Sequence, residues 1–481
     1  MHVPDRLSSL DKAFLTIESG PLHMHVGVVA VFEGGDLIGA DGGLDFAPLR
    51  ASIGRSIEAI PRFREHVRSF PLLGTVWSPD PHFRLDYHLR HTAIPKPGSL
   101  AQLHALAGRL FSQRLDRERP LWEMYFVEGL PGGRFAVITK AHHAMLDGVA
   151  GMGVLAALFS IGPTPMGEAS RVHESAPLLD EPGTLAQVRA LLEQRVRELP
   201  LFGARVGRLL AAEGRAQSKE VARGITRILG SALHPSPSTP LNPDTIGPHR
   251  SFDGTRLSLE RLKEVKRTLG GTLNDVALTV VTGALRRHLI RRGADCAAVG
   301  ELRALVPVNV RPKDAAAGTG NHVAMLLAHL PVGEPDVLIR FGRVRAHSEE
   351  LKHGSHEVEA VALVEELSDL GPDGLIGLIF STALRFLPFH VVVTNMPGPQ
   401  LPLYLGPAQL TELYPMVPLF ARQSVGMALV SYDGGLFVGV NADADSVPDL
   451  KALIEDLGHA EAELYERAFA PAGINPRETS R

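Results

Sequence analysis

Two clusters of proline constrain this chain more than any other feature. Pro163, Pro165, Pro177 and Pro182 form the first; Pro235, Pro237, Pro240, Pro243 and Pro248 form the second. Proline fixes its own φ and has no backbone N–H, so regular structure does not run through either cluster. The chain therefore divides into a block at 1–160, a Pro-bounded helical linker at 161–250 and a block at 251–481. Both outer blocks mix strand and helix periodicity, which predicts two α/β halves with mixed (α+β) sheets.

In the first block, the β-branched run Met24–Phe32 predicts a strand that turns at Glu33-Gly34-Gly35. Leu103–Leu115 carries apolar residues at helical spacing. Leu121–Leu130 and Phe135–Lys140, separated by Pro131-Gly132-Gly133, predict a hairpin, and Gly148–Ser160 a helix. In the second block, helices are predicted over Leu259–Leu269, Leu273–Arg291 (with Thr272 as N-cap), Asp336–Leu351, Glu357–Leu370 and Leu450–Phe469. Strands are predicted over Arg303–Val310, His322–Leu330 and Phe389–Asn395, with a hairpin of Ser424–Val430 and Leu436–Val440. Thr394–Pro399 reads as a loop.

The linker is basic. Thr184–Arg227 holds eight Arg and one Lys against four Glu, or +5, whereas the 481-residue chain carries -4. Leu185, Val188, Leu191, Leu192, Val196 and Leu199 stripe it at helical spacing. That pattern suits a packed connector with a solvated charged face, or an amphipathic helix on an anionic lipid surface. The near balance of 49 Lys+Arg against 53 Asp+Glu argues against a nucleic-acid partner. One cysteine, Cys296 in a polar-flanked loop, excludes an intrachain disulfide and a Cys-based metal site. Met1–Arg6 lacks a signal-peptide pattern, and the apolar run Leu375–Leu384 is too short to span a bilayer. A cytoplasmic protein is expected, and Leu375–Leu384 is either a buried helix or a surface that touches lipid.

The strongest chemical signal is His142-His143-Ala144-Met145-Leu146-Asp147-Gly148, where a strand delivers two histidines to a loop. Adjacent side chains at a strand end point to opposite sides, so one imidazole can face a cleft while the other packs inward. Imidazole exchanges a proton near neutral pH. Asp147 is placed to hold the loop, and Gly148 permits a backbone angle that other residues resist. A metal site fits poorly, because the neighbouring side chains diverge and no zinc spacing accompanies them. No G-x-S-x-G nucleophile elbow precedes the motif.

The motif matches the H-H-x-x-x-D-G signature of coenzyme A-dependent acyltransferases and peptide-synthetase condensation domains. More narrowly, the chain resembles the bacterial wax ester synthase/diacylglycerol acyltransferase family, particularly its actinobacterial triacylglycerol synthases. The resemblance rests on an ordered set: Leu7-Ser8-Ser9-Leu10-Asp11 with Phe14; Met24-His25-Val26-Gly27; Pro120-Leu121-Trp122-Glu123; and Asn274-Asp275-Val276. Val306–Arg311, Gly320-Asn321, Thr394–Pro399 and Ser431-Tyr432-Asp433-Gly434 complete it. Where plant cousins carry D-F-G-W-G, this chain has only Tyr432-Asp433-Gly434-Gly435.

The resemblance implies two acyltransferase-like domains with a tunnel between them. His143 would be the general base, supported by His142, Asp147 and Gly148. It would deprotonate an acceptor hydroxyl that attacks a fatty acyl-coenzyme A thioester, with no acyl-enzyme and no cofactor. The acceptor would be diacylglycerol, a long-chain alcohol giving wax esters, or both, met at a membrane or lipid-droplet surface. Asn274 would donate to the oxyanion or orient substrate, or else cap its helix or serve an interdomain contact. Trp122 either shapes the hairpin beside the site or fills the core. Two other readings stay open: a condensation-type enzyme that uses a carrier-bound substrate, and a catalytically silent lipid-binding paralogue.

Overall fold

The computed structural model describes residues 5–58, 60–70, 74–145, 158–164, 193, 239–309, 323–353 and 389–470. Asp147, Gly148, Arg311, the Arg-rich linker stretch, the expected helix at 357–370 and the apolar run at 375–384 lie outside them. So does nearly all of the helix expected over 148–160.

The first half opens with α1 (Ser9–Ile17), β1 (His25–Glu33) and α2 (Phe46–Glu58). A small hairpin of β2 (Glu65–Phe70) and β3 (Gly74–Pro79) follows, then the single turn α3 (Leu85–His88), β4 (Leu89–Ala93) and α4 (Leu100–Phe111). The predicted hairpin is β5 (Trp122–Leu130) with β6 (Arg134–His142). α4 starts at Leu100, before its apolar stripe, because Ser99 and Gln102 form a capping box.

The second half comprises β7 (Arg250–Ser258), α5 (Leu259–Leu269), α6 (Leu273–Arg291), the turn α7 (Cys296–Val299), β8 (Leu302–Asn309), β9 (Val323–Leu330) and α8 (Val337–His353). Then come β10 (Val391–Pro397), β11 (Tyr404–Leu405), β12 (Ala408–Met416), β13 (Val425–Tyr432), β14 (Gly435–Asp443) and α9 (Leu450–Phe469). Its sheet runs β7-β14-β13-β10-β8-β9. Cys296 is not in a loop: it opens α7 beneath an Asp295 cap, buried, with its thiol pKa raised by desolvation.

The first sheet runs β11-β12-β1-β6-β5-β4. Residues 404–416, which the proline division places in the second block, thus hydrogen-bond into the first half. β12 pairs antiparallel with β1 from Gly27↔Met416 to Glu33↔Gln409. Its Gly406-Pro407 start reads locally as loop, and nothing local names a distant β1 as its partner. The exchange is mutual. β7 is an edge strand, and α4 covers it: Ser112 Oγ accepts from the Arg250 N–H at 2.8 Å, and His104 Nδ1 lies 2.8 Å from Asp253 Oδ1.

The strand expected over Phe389–Asn395 continues through Met396 and Pro397, so the loop expected from Thr394 starts only after Pro397. β10 pairs with β13 throughout, Val392↔Gly426 to Pro397↔Ser431, but with β8 only at Val391 and Val392. Among the described residues no strand pairs with its second edge beyond residue 392, so Pro397 loses no described ladder bond there.

A glycine notch seats β12 against the second sheet. Gly254 of β7 and Gly439 of β14 are register partners. A Cβ on Gly439 would collide with the Pro415 carbonyl oxygen, and one on Gly254 would stand 2.5 Å from Tyr414 Cδ1. Overpacking of this kind costs about 1–3 kcal/mol. Gly439→Ala should therefore melt at least ~2 °C below wild type. Gly458→Ala, in the open face of α9, should match or exceed wild type, since alanine gains ~0.5–1 kcal/mol over glycine in a helix. Equal melting of Gly439→Ala and wild type would remove the notch as a constraint.

Candidate active site

The Leu7–Asp11 segment is a helix start. Ser8 Oγ accepts from the Asp11 N–H at 3.1 Å, and Asp11 Oδ2 accepts from the Ser8 N–H at 3.3 Å. The box fixes α1, and α1 sets two side chains one turn apart. Phe14 stacks on His143, ring centroids 4.0 Å apart and planes 22° apart. Glu18, the residue after the helix, donates its N–H to the Phe14 carbonyl.

The two histidines sit where three strands meet. His142 ends β6 opposite His25, the first residue of β1. The His142 N–H donates to Leu121 O at 2.9 Å, and the His143 N–H to Met24 O at 2.7 Å. The imidazoles part there: His142 is sealed, 1% exposed, while His143 is half-buried. His142 Nδ1 accepts from the Ala144 N–H at 3.1 Å, so the neutral ring carries its proton on Nε2. Met145 N–H returns to His142 O at 2.9 Å, closing the turn that aims His143.

Around that turn lies an apolar cluster drawn from both halves. Phe14, Met24 and Ala144 come from the first half, and Leu305, Phe389 and Val392 from the second. His143 stands at its border, stacked on Phe14.

Sequence reasoning missed the charge beneath. Glu18 Oε2 accepts from Arg117 Nη2 at 2.7 Å and Nε at 3.2 Å. His25 Nε2 lies 3.4 Å from Glu18 Oε1, and His142 Nε2 3.8 Å from Oε2. These imidazole contacts are longer than good hydrogen bonds. Burial pushes the Glu18 carboxyl up, but His25, His142 and Arg117 outweigh it and hold it well below the usual carboxylate range. Burial pushes His142 down to about 3 and His23 to about 4, and lowers His25 as well. At neutral pH those imidazoles are uncharged, so Arg117 is the cation that keeps Glu18 ionised. Among the described residues no group of three or more His, Cys, Asp or Glu side chains is arranged to hold a metal.

The remaining candidates separate. Trp122 is core: its Nε1 donates to Phe63 O at 2.8 Å, and its ring stacks on His88 at 4.5 Å. Glu123 beside it pairs with the buried Lys140 at 2.9 Å. Thr272, with Asp275, caps α6, so Asn274 is not the cap. Asn274 Oδ1 accepts from Asn395 Nδ2 at 3.1 Å, which ties the Asn274-Asp275 and Thr394-Asn395 segments together.

Comparison with known proteins places this geometry. The family model described as wax ester synthase/diacylglycerol acyltransferase catalytic domain matches residues 7–277, and the C-terminal domain model of that family matches 319–464. The chain belongs to the wax ester synthase/diacylglycerol acyltransferase family.

Two Mycobacterium tuberculosis proteins named as diacylglycerol O-acyltransferases are 30% and 31% identical to this family member. The alignments cover 96% of this chain and 96% and 98% of theirs. The solved wax ester synthase/diacylglycerol acyltransferase of Marinobacter aquaeolei VT8 superposes with a TM-score of 0.68 at 26% identity, over 96% of this chain and 99% of that one. The first condensation domain of the calcium-dependent antibiotic synthetase shares the fold, with a TM-score of 0.60 at 16% identity over 98% and 97%.

The buried imidazoles make the stability of this acyltransferase family member pH-dependent. Between about pH 6.5 and the depressed values of His23 and His142, the unfolded chain binds more protons than the folded one. Stability from these groups is complete above that window and is lost as pH falls through it, by up to ~1.4 kcal/mol per pH unit for each group. Glu18 acts in the same direction below its unfolded value of about 4.5, as its carboxylate protonates. The melting temperature should change little above pH 7 and fall as pH is lowered from about 6.5 to 5. A flat profile would contradict the assigned protonation states.

Proposed function

We propose that this protein is an acyl-coenzyme A:diacylglycerol O-acyltransferase with His143 as its general base. The observation that carries the proposal is the placement of His143: half-buried, stacked on Phe14, and bordering apolar side chains from both halves. A general base must meet a hydroxyl while its surroundings favour greasy reactants over water. The names of the mycobacterial relatives supply the acceptor class.

In the proposed reaction, neutral His143 takes the proton of the diacylglycerol hydroxyl as its oxygen attacks the thioester carbonyl. The tetrahedral intermediate then expels the coenzyme A thiolate, which takes the proton back from the imidazolium. One ester bond forms, one thioester bond breaks, and His143 returns to its starting state without a cofactor or a covalent enzyme intermediate. Asn274, its carbonyl held by Asn395, presents the amine end of its amide as a candidate donor to the oxyanion. Asp147 and Gly148 would support His143 in this reading, and a tunnel between the halves would bring donor and acceptor to it.

His143→Ala should lower thiol release from palmitoyl-coenzyme A by ~100-fold or more. Unchanged turnover would refute the base. With one radiolabelled donor, diacylglycerol should be acylated faster than monoacylglycerol, hexadecanol or glycerol. Preference for hexadecanol would make the protein a wax ester synthase. Silence with free acyl-coenzyme A would favour a carrier-bound donor, and lipid binding without transfer to any acceptor a silent paralogue.

Diacylglycerol is water-insoluble, so the proposal places a cytoplasmic enzyme in peripheral contact with membrane or lipid droplets. No described helix is long and apolar enough to cross a membrane. The +5 stretch is the proposed contact. Replacing Arg189, Arg195, Arg197, Arg205 and Arg208 by Gln should weaken binding to anionic vesicles. Undiminished binding would eliminate that stretch.

A further inference from the structure

We infer that Glu18 is a positioning residue for the acyl transfer: its buried carboxylate, anchored by Arg117, sets the direction of the His143 imidazole through His142 on one side and Phe14 on the other. The inference rests on His143 as the base and extends that reading to residues outside the His motif.

The geometry gives two routes. The first is polar. The Ala144 N–H occupies His142 Nδ1, which leaves the ring proton on Nε2, the atom 3.8 Å from Glu18 Oε2. With Arg117 keeping that oxygen negative, the carboxylate attracts the Nε2–H edge of the ring electrostatically while the Ala144 N–H holds Nδ1, and Met145 N–H closes the turn on the His142 carbonyl. His25 Nε2, 3.4 Å from the other carboxylate oxygen, stops the Glu18 side chain from swinging away. The second route is through the backbone. The Glu18 N–H closes the last turn of α1 on the Phe14 carbonyl, and Arg117 Nη2 donates to Leu15 O at 2.7 Å. Both contacts pin the end of the helix that carries the ring stacked on His143.

Burying this carboxylate costs desolvation that its pair with Arg117 offsets, and a neutral side chain of the same shape would avoid that cost. Its side chain is 4% exposed, whereas Arg117 is 45% exposed and reaches water. Glu18→Gln therefore removes the charge without stranding a buried cation, and glutamine keeps the volume. A shift of about 1 Å in a reacting group costs on the order of 100-fold in rate.

The test measures thiol release from palmitoyl-coenzyme A with diacylglycerol in four proteins: wild type, Glu18→Gln, His143→Ala and the double variant. Glu18→Gln should lower kcat by ~10- to 100-fold with the KM for palmitoyl-coenzyme A within ~2-fold of wild type. In the His143→Ala background it should change the residual rate less than ~2-fold, because residues that act as one unit are not additive. Glu18→Asp, which keeps the charge, should recover part of the loss. Wild-type kcat in Glu18→Gln overturns the inference. So does an equal loss in both backgrounds, which is what general destabilisation would give. Should His143→Ala retain wild-type turnover, the general-base reading falls first, whatever Glu18 does.

Discussion

Backbone pairing between β1 and β12 is the interaction on which the rest of the structure depends. β12 belongs by sequence to the second half, yet its ladder runs along β1, the strand whose first residue faces His142. An unpaired edge on β1 would expose a row of peptide groups beside the His turn. β12 fills that edge and brings Val417, Leu419 and Phe420 to the apolar cluster at His143. The first half returns a cover for the second, with α4 lying on the free edge of β7. The halves are therefore interlocked through main-chain geometry, and the cluster they share is a consequence of that interlock.

Within this frame the two histidines do different work because their surroundings differ. His142 is desolvated, neutral and committed to a turn; burial has removed it from proton exchange near neutral pH. His143 is the imidazole left with exposed surface, in van der Waals contact with Phe14. The ionised pair Glu18 with Arg117 lies beneath them with three neutral imidazoles nearby. Such an arrangement can hold direction without adding net charge to an apolar site.

The short segments behind the family resemblance acquire separate physical jobs. Ser8 and Asp11 are a capping box. Trp122 and Glu123 fix the hairpin, one by an indole hydrogen bond and the other by an ion pair with Lys140. Asn274 and Asn395, 121 positions apart, are two ends of one contact. His143, stacked on Phe14, borders the cluster that both halves share.

The sequence by itself determined the elements with strong local period. The β5–β6 hairpin, β13, α5, α6 and α9 fall within a residue or two of their expected bounds, and β14 overruns its expected end by three residues, because turn chemistry, capping and apolar spacing act over a few residues. It also determined that a strand delivers the two histidines to a loop and that the two imidazoles can part there, since alternation along a strand is a local rule; the strand itself runs two residues past its expected end at Lys140. Tertiary structure alone decided which half β12 joins, that Met396 and Pro397 stay in the sheet, and that Glu18 meets Arg117, His25 and His142. The reason is range. Strand partners and buried ion pairs are chosen by where a folded surface leaves an open edge or an unmatched charge, and no window of neighbouring residues carries that information.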